Sequence, residues 1–172
     1  LVGSEMCIRD RMCIRDRLYA YADADHAGNP EGRRSVTGYV VMMNGWAVSW
    51  QSKRQSVTAL SSAESEYYAA SACGCDIIAL RRVVTSMGYA QVAPTPVAED
   101  NVACIYMSKT SAMYNKGKHI DVRVYRLREF VQDGAMELYH VPTAVQVADV
   151  MTKSLPSEAL KRHRDVMSGS CD

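Results

Sequence analysis

Three short apolar runs come first along the chain and a long run at helical spacing follows, which predicts strands ahead of the first long helix. Residues 18–24 are a Tyr/Ala run closing on Asp23 and Asp25, and the cluster Gly28, Asn29, Pro30, Glu31 and Gly32 then marks a turn. Residues 36–43 are rich in Val and Tyr and lead into Asn44-Gly45, the strongest short hairpin signal. Residues 46–52 are therefore expected to be the antiparallel partner, with Trp46 and Trp50 as packing residues. Ser61, Ser62, Ala63 and Glu64 have the form of a capping box, and apolar residues recur at helical spacing through Tyr67, Ala70, Ile77 and Val84 until Gly88. Beyond it the pattern predicts a strand over 95–99, a helix from Asp100-Asn101 through Ile105, and an amphipathic helix over 118–132. A strand over 135–141 and a short helix over 145–153 complete the chain. Five strands, three of them meandering first, predict an α/β fold: a five-stranded mixed sheet with helices on both faces.

Composition sets limits on this picture. A chain of 172 residues with 48% hydrophobic and 23% charged residues has globular proportions, which excludes disorder, collagen and coiled coil. The 20 basic and 19 acidic residues leave a net charge of +1, so a nucleic-acid partner has to be met by a local patch. No apolar run reaches membrane-spanning length and no secretion signal is evident, so an intracellular protein with no membrane partner is expected. Residues 6–11 read MCIRDR and residues 12–17 repeat it letter for letter. A tandem hexamer with no longer array behind it resembles translated linker sequence, so residues 1–17 are set aside as a non-native leader and 18–172 is taken as the domain. Outside the leader, Cys73, Cys75, Cys104 and Cys171 lack zinc-finger spacing and are expected to be reduced thiols.

Four acids stand where packing alone does not explain them: Asp23 and Asp100 at strand ends, Asp149 in the last short helix, and Glu66 early in the long one. In open sheets with helical crossovers, ligands gather beyond the carboxyl ends of strands. At about 100° per residue, the apolar face of the long helix lies roughly 30° from Glu66 and roughly 130° from Glu64, so Glu66 points at the sheet and Glu64 at water. A carboxylate on a buried face requires a partner or a metal. Hard oxygen ligands without His or Cys suit Mg²⁺ or Mn²⁺. Two such ions about 4 Å apart stabilise the attacking and leaving oxygens of a phosphodiester displacement, which predicts a nuclease.

Several motifs carry a family resemblance, in family order and near-family spacing. They are Tyr21-Ala22-Asp23-Ala24-Asp25 with Ala27-Gly28, Arg34-Ser35 with Thr37-Gly38-Tyr39-Val40, the run from Ala59 to Tyr67, Glu99-Asp100-Asn101, Lys118-His119-Ile120-Asp121, and Val141-Pro142-Thr143 with Gln146-Val147-Ala148-Asp149 and Thr152-Lys153. From residue 18 onward the chain resembles the ribonuclease H domain of copia-type retrotransposon polyproteins. The resemblance implies the ribonuclease H fold and hydrolysis of the RNA strand of RNA–DNA hybrids with two Mg²⁺, for which Mn²⁺ can substitute. It places the catalytic and metal-binding acids on Asp23, Glu66, Asp100 and Asp149. It also implies a terminal fragment of a longer polyprotein, partnered by its reverse transcriptase portion and located in cytoplasmic virus-like particles or the nucleus. His26, Asn115-Lys116-Gly117 and Val124-Tyr125-Arg126 depart from the family pattern.

Residues 109–128 hold six basic residues against Asp121, a plausible phosphate-binding strip in an otherwise balanced domain. Lys116, Lys118, His119, Arg123 and Arg126 are its expected substrate contacts. His140 is a weaker candidate for moving protons, and Ser61 and Ser62 read as helix caps. Two alternatives are a catalytically silent nucleic-acid-binding relic of the same domain and a retroviral-type integrase core. The latter ranks last because Glu66 lies between Asp23 and Asp100 rather than after both.

Overall fold

Asn44 and Gly45 adopt positive φ values of 53° and 82°, the turn conformation that matches the twist of two strands joined by two residues. They join β2 (Val36–Met43) to β3 (Trp46–Arg54), and β2 pairs antiparallel on its other side with β1 (Leu18–Asp25). In the computed structural model, which describes residues 17–28, 33–110 and 122–170, β1 pairs in parallel with β4 (Thr95–Glu99), and β4 with β5 (Met136–His140). The result is a five-stranded mixed sheet in the order β3-β2-β1-β4-β5.

Strand alternation sends neighbouring residues to opposite layers. Leu18, Ala20, Ala22, Tyr39 and Val41 pack under α1 (Ser62–Ser86), α2 (Val102–Lys109) and α3 (Val122–Gln132), through Tyr67, Ile77, Cys104 and Leu127. Tyr21, Val40, Met42 and Ala98 face the other way, against Val147 and Ala148, with Met151 of α4 (Asp149–Thr152) and Met167 of α5 (Ser157–Met167) alongside. Helices therefore cover both faces, as expected.

The long helix is capped nearly as its sequence predicts. Ser61 Oγ accepts from the Glu64 amide at 3.2 Å, while the Glu64 carboxylate reaches one residue further back and accepts from the Leu60 amide at 2.7 Å. At the far end Gly88, at φ 95°, takes the left-handed conformation that closes a helix.

Three expectations are corrected. The helix expected over 145–153 is a 3₁₀ turn (Thr143–Val145) followed by the single turn of α4. The buried amide of Gln146 separates them, donating to the carbonyls of Ala22 at 2.9 Å and Ala98 at 3.3 Å and pinning the chain to the adjacent ends of β1 and β4. Helix α5 was not expected; buried His163 and half-buried Met167 mark its inner side, which the polar composition of the segment hides. Trp46 and Trp50 are not core residues: on edge strand β3 they stay 58% and 60% exposed, with the Trp46 ring lying against Gly169 just beyond α5. Of the helix expected over 118–132, the part up to residue 121 lies outside the described residues.

Gly38 controls how closely α4 approaches the sheet. It sits opposite Asp23 in the β1–β2 register, and a Cβ added there would lie 2.5 Å from Thr152 Cγ2 and 2.8 Å from Met151 Cβ. Gly38→Ala should cost about 1–3 kcal/mol of stability by overpacking, read as a lower melting temperature. An unchanged melting temperature would show that α4 yields without cost.

Candidate active site

Asp23 lies near the carboxyl end of β1 and Asp100 directly follows β4, so a parallel strand pair delivers two acids to one end of the sheet. Glu66, in the first turns of α1, reaches the same place from the helical layer. One carboxylate oxygen from each of Asp23, Glu66 and Asp100 lies within 4.8 Å of the others. Asp23 is fully buried and Glu66 nearly so.

Fixed donors orient this group. Both oxygens of Asp23 are engaged: Thr152 Oγ1 donates to Oδ2, and Lys153 Nζ lies 3.3 Å from Oδ1. Thr143 Oγ1 donates to Asp100 Oδ2 at 2.7 Å. Asp149, the fourth expected acid, stands outside the triad. It opens α4 and pairs at 3.1 Å with Lys153, which bridges it to Asp23.

Charge is concentrated here with little to balance it. Burial, then the neighbouring Glu99, Asp23 and Asp100, push the Glu66 carboxyl up to about 10. Glu99 is wholly buried and raised well above the usual carboxylate range, chiefly by burial and against the hydrogen bond it accepts from the Asn101 amide at 3.1 Å. Asp149 rises to about 6 through burial and Asp23, with Lys153 opposing. Burial would lower Lys153, but its two carboxylate partners hold it above its ordinary value. Glu66 Oε2 and Glu99 Oε2 are buried without a hydrogen-bond partner among the described residues. Buried polar atoms ordinarily find a partner. A hard divalent cation fits a set of carboxylate oxygens with this deficit, and Asp23, Glu66 and Asp100 are the residues placed to hold it.

The helical arithmetic places Glu66 correctly, but Glu64 is not simply solvated. It is half-buried and accepts from the Tyr68 hydroxyl at 2.8 Å. Two members of the site escaped the sequence reading. Glu99 shares strand parity with the core residue Val97 and so faces α1, and Lys153 follows Asp149 at the i,i+4 spacing that brings opposite charges together.

Of the five expected basic contacts, only Arg126 has a described side chain. Lys116, Lys118 and His119 lie outside the described residues, as does the Arg123 side chain. Arg126 is exposed, 3.5 Å from Cys75 Sγ, and lines a cleft of about 490 Å³ with Lys53, Arg54 and Asp76. None of the four expected acids lines that cleft. Arg128 leaves the expected strip: it is buried, and its Nε donates to the Met107 carbonyl at 3.4 Å. His140 is exposed at the end of β5. Cys73, Cys75 and Cys104 are free thiols, and Cys171 lies outside the described residues.

No protein-family model matches the chain. It is 40% identical over 139 residues, 81% of its length, to the retrovirus-related Pol polyprotein from transposon TNT 1-94 of Nicotiana tabacum. It is 33% identical over 84% of its length to the corresponding polyprotein from transposon RE1 of Arabidopsis thaliana. The chain spans about 10% of the length of each of these relatives. Among solved structures, an RNase H1 isolated from compost (LC11-RNase H1) superposes with a TM-score of 0.57 at 15% identity, covering 86% of this chain and 97% of that one. RNase H1 from the halophilic archaeon Halobacterium salinarum NRC-1 gives 0.52 at 20% identity, covering 85% and 98%.

Proposed function

The chain's homologues are retrovirus-related Pol polyproteins of plant copia-type transposons and its fold is that of ribonuclease H, and from that premise we propose that it hydrolyses the RNA strand of RNA–DNA hybrids with divalent metal. One observation carries the reading: the convergence of Asp23, Glu66 and Asp100 at the strand ends, with the buried Glu66 Oε2 left without a partner among the described residues. Two Mg²⁺ or Mn²⁺ ions bound there would stabilise the attacking and leaving oxygens of a phosphodiester displacement.

The chain's own residues supply a preorganised cradle. Thr143 fixes Asp100, Thr152 and Lys153 fix Asp23, and the Ala24 backbone donates to Glu66, so the carboxylates need little rearrangement to receive a cation. Asp149, tethered through Lys153, is the fourth acid available to the reaction. Substrate grip is assigned to the basic segment 109–128, with Lys109 and Arg126 its exposed described members. No helix among the described residues is long and apolar enough to cross a membrane. In the parent polyprotein, the reverse transcriptase portion would generate the hybrid this site consumes.

The test compares three substrates of one sequence: RNA–DNA hybrid, single-stranded RNA and duplex DNA, each with Mg²⁺. The hybrid's RNA strand is expected to be cut and the others spared, because an A-like minor groove carrying 2′-hydroxyls on one strand is the feature to be read. Equal cutting of single-stranded RNA would contradict the assignment.

A further inference from the structure

Lys153 is the cation that touches two of the four acids, and its part can be carried further than holding Asp23 in place. Its Nζ lies 3.3 Å from Asp23 Oδ1 and 3.1 Å from Asp149 Oδ1, while its backbone amide closes α4 on the Asp149 carbonyl at 2.9 Å. The turn therefore fixes where the side chain starts, and the two carboxylates fix where its charge ends. The cationic counter-charge is one-sided: Asp23 and Asp149 share an ammonium, whereas Glu66 Oε2 has no partner among the described residues. Asp23 belongs to both halves, since it is also a member of the three-carboxylate group.

We propose that Lys153 acts as a built-in cation filling the Asp23–Asp149 position, so that divalent metal loads in order: first at Asp23, Glu66 and Asp100, and at Asp149 only once the ammonium has moved out. The inference rests on the metal reading given above. A divalent ion at Asp149 needs carboxylate oxygens at about 2.0–2.6 Å, and the ammonium holds both acids of that position, Asp149 and Asp23, whereas of the three-carboxylate group it touches Asp23 alone. Two cations this close also repel strongly in a low-dielectric site. Lys153 has a route out, because its side chain is 35% exposed and carries its charge on a flexible four-carbon stem. Its charge then holds the buried Asp23 in place before metal arrives and tunes how readily the second ion enters.

Mn²⁺ titration of the full chain, with free Mn²⁺ followed by electron paramagnetic resonance, reads this without any activity measurement. Wild type is expected to bind one ion tightly and a second more weakly. Lys153→Met should tighten the second site by roughly tenfold or more while changing the first much less, since the ammonium occupies both acids of the second position but only Asp23 of the first. Lys153→Arg, which keeps the charge, should bind like wild type. Lys153→Gln, which keeps a donor without the charge, should bind like Lys153→Met and covers the case in which methionine prevents folding. Identical isotherms for wild type, Lys153→Met and Lys153→Gln would overturn this inference alone, as would loss of the first site in either uncharged variant. A wild type that binds no Mn²⁺ would overturn the metal reading beneath it.

Discussion

Glu66→Gln is expected to lower metal-dependent cleavage by orders of magnitude and, in the absence of metal, to raise the melting temperature. Glu66 is buried among Asp23, Glu99 and Asp100, one of its oxygens has no partner among the described residues, and its ionised form is disfavoured by burial and by all three neighbours. Glutamine keeps the shape, removes the repulsion and removes a ligand charge. Glu64→Gln, two residues away, is expected to keep activity. The Glu64 carboxylate accepts from the Leu60 amide with one oxygen and from the Tyr68 hydroxyl with the other; in glutamine the single oxygen can keep the Leu60 contact while the NH2 donates to the Tyr68 hydroxyl oxygen, so the stability change should stay within about 1 kcal/mol. The two variants, compared in one assay at saturating Mg²⁺ and in one metal-free melt, separate site from cap. A dead Glu64→Gln beside an active Glu66→Gln would mean that the cleavage site lies elsewhere.

The metal-free protein should lose stability as pH rises, opposite to the behaviour of a protein held together by ionised, paired carboxylates. Glu66 moves from an ordinary 4.5 to about 10 and Asp149 from 3.8 to about 6, so both bind their protons more readily folded than unfolded. The folded state then holds more protons across those intervals, and stability, complete below the lower values, falls as pH climbs through them. Lys153 keeps its charge throughout this window, its value being raised by Asp23 and Asp149. Melting temperatures in EDTA should therefore fall from about pH 5 to about pH 8, and the gain on adding Mg²⁺ should be larger at the upper value. Glu66→Gln should flatten the slope. A melting temperature that rises over this range would contradict the buried, unpaired state of Glu66.

Much of this was legible in the sequence because the relevant signals are local. Asn44-Gly45 set the hairpin, Ser61 to Glu64 set the start of α1, and helical periodicity separated Glu66 from Glu64. What escaped depends on contacts across the fold. Gln146 breaks the expected last helix because its amide is used by two strand ends, which no local pattern reveals. Trp46 and Trp50 are exposed because β3 is an edge, a property of strand order rather than of the strand. Arg128 looked like part of a basic face until the packing of α3 buried it. Within the site, the three acids that meet are among the four nominated, but the lysine that bridges Asp149 to Asp23 was visible only as one residue of a motif.

The most direct test of metal-dependent cleavage at this carboxylate cluster is one gel. Purified chain is incubated with end-labelled RNA annealed to DNA, in Mg²⁺, in Mg²⁺ with excess EDTA, and with Asp23→Asn in place of wild type. Asp23 is the acid shared by the triad and by Lys153, so its loss reaches every part of the site. Cleavage of the RNA strand by wild type in Mg²⁺, absent with EDTA and absent in a folded Asp23→Asn, is the expected result. Cutting that persists in EDTA or in Asp23→Asn, or no cutting by folded wild type, would contradict it.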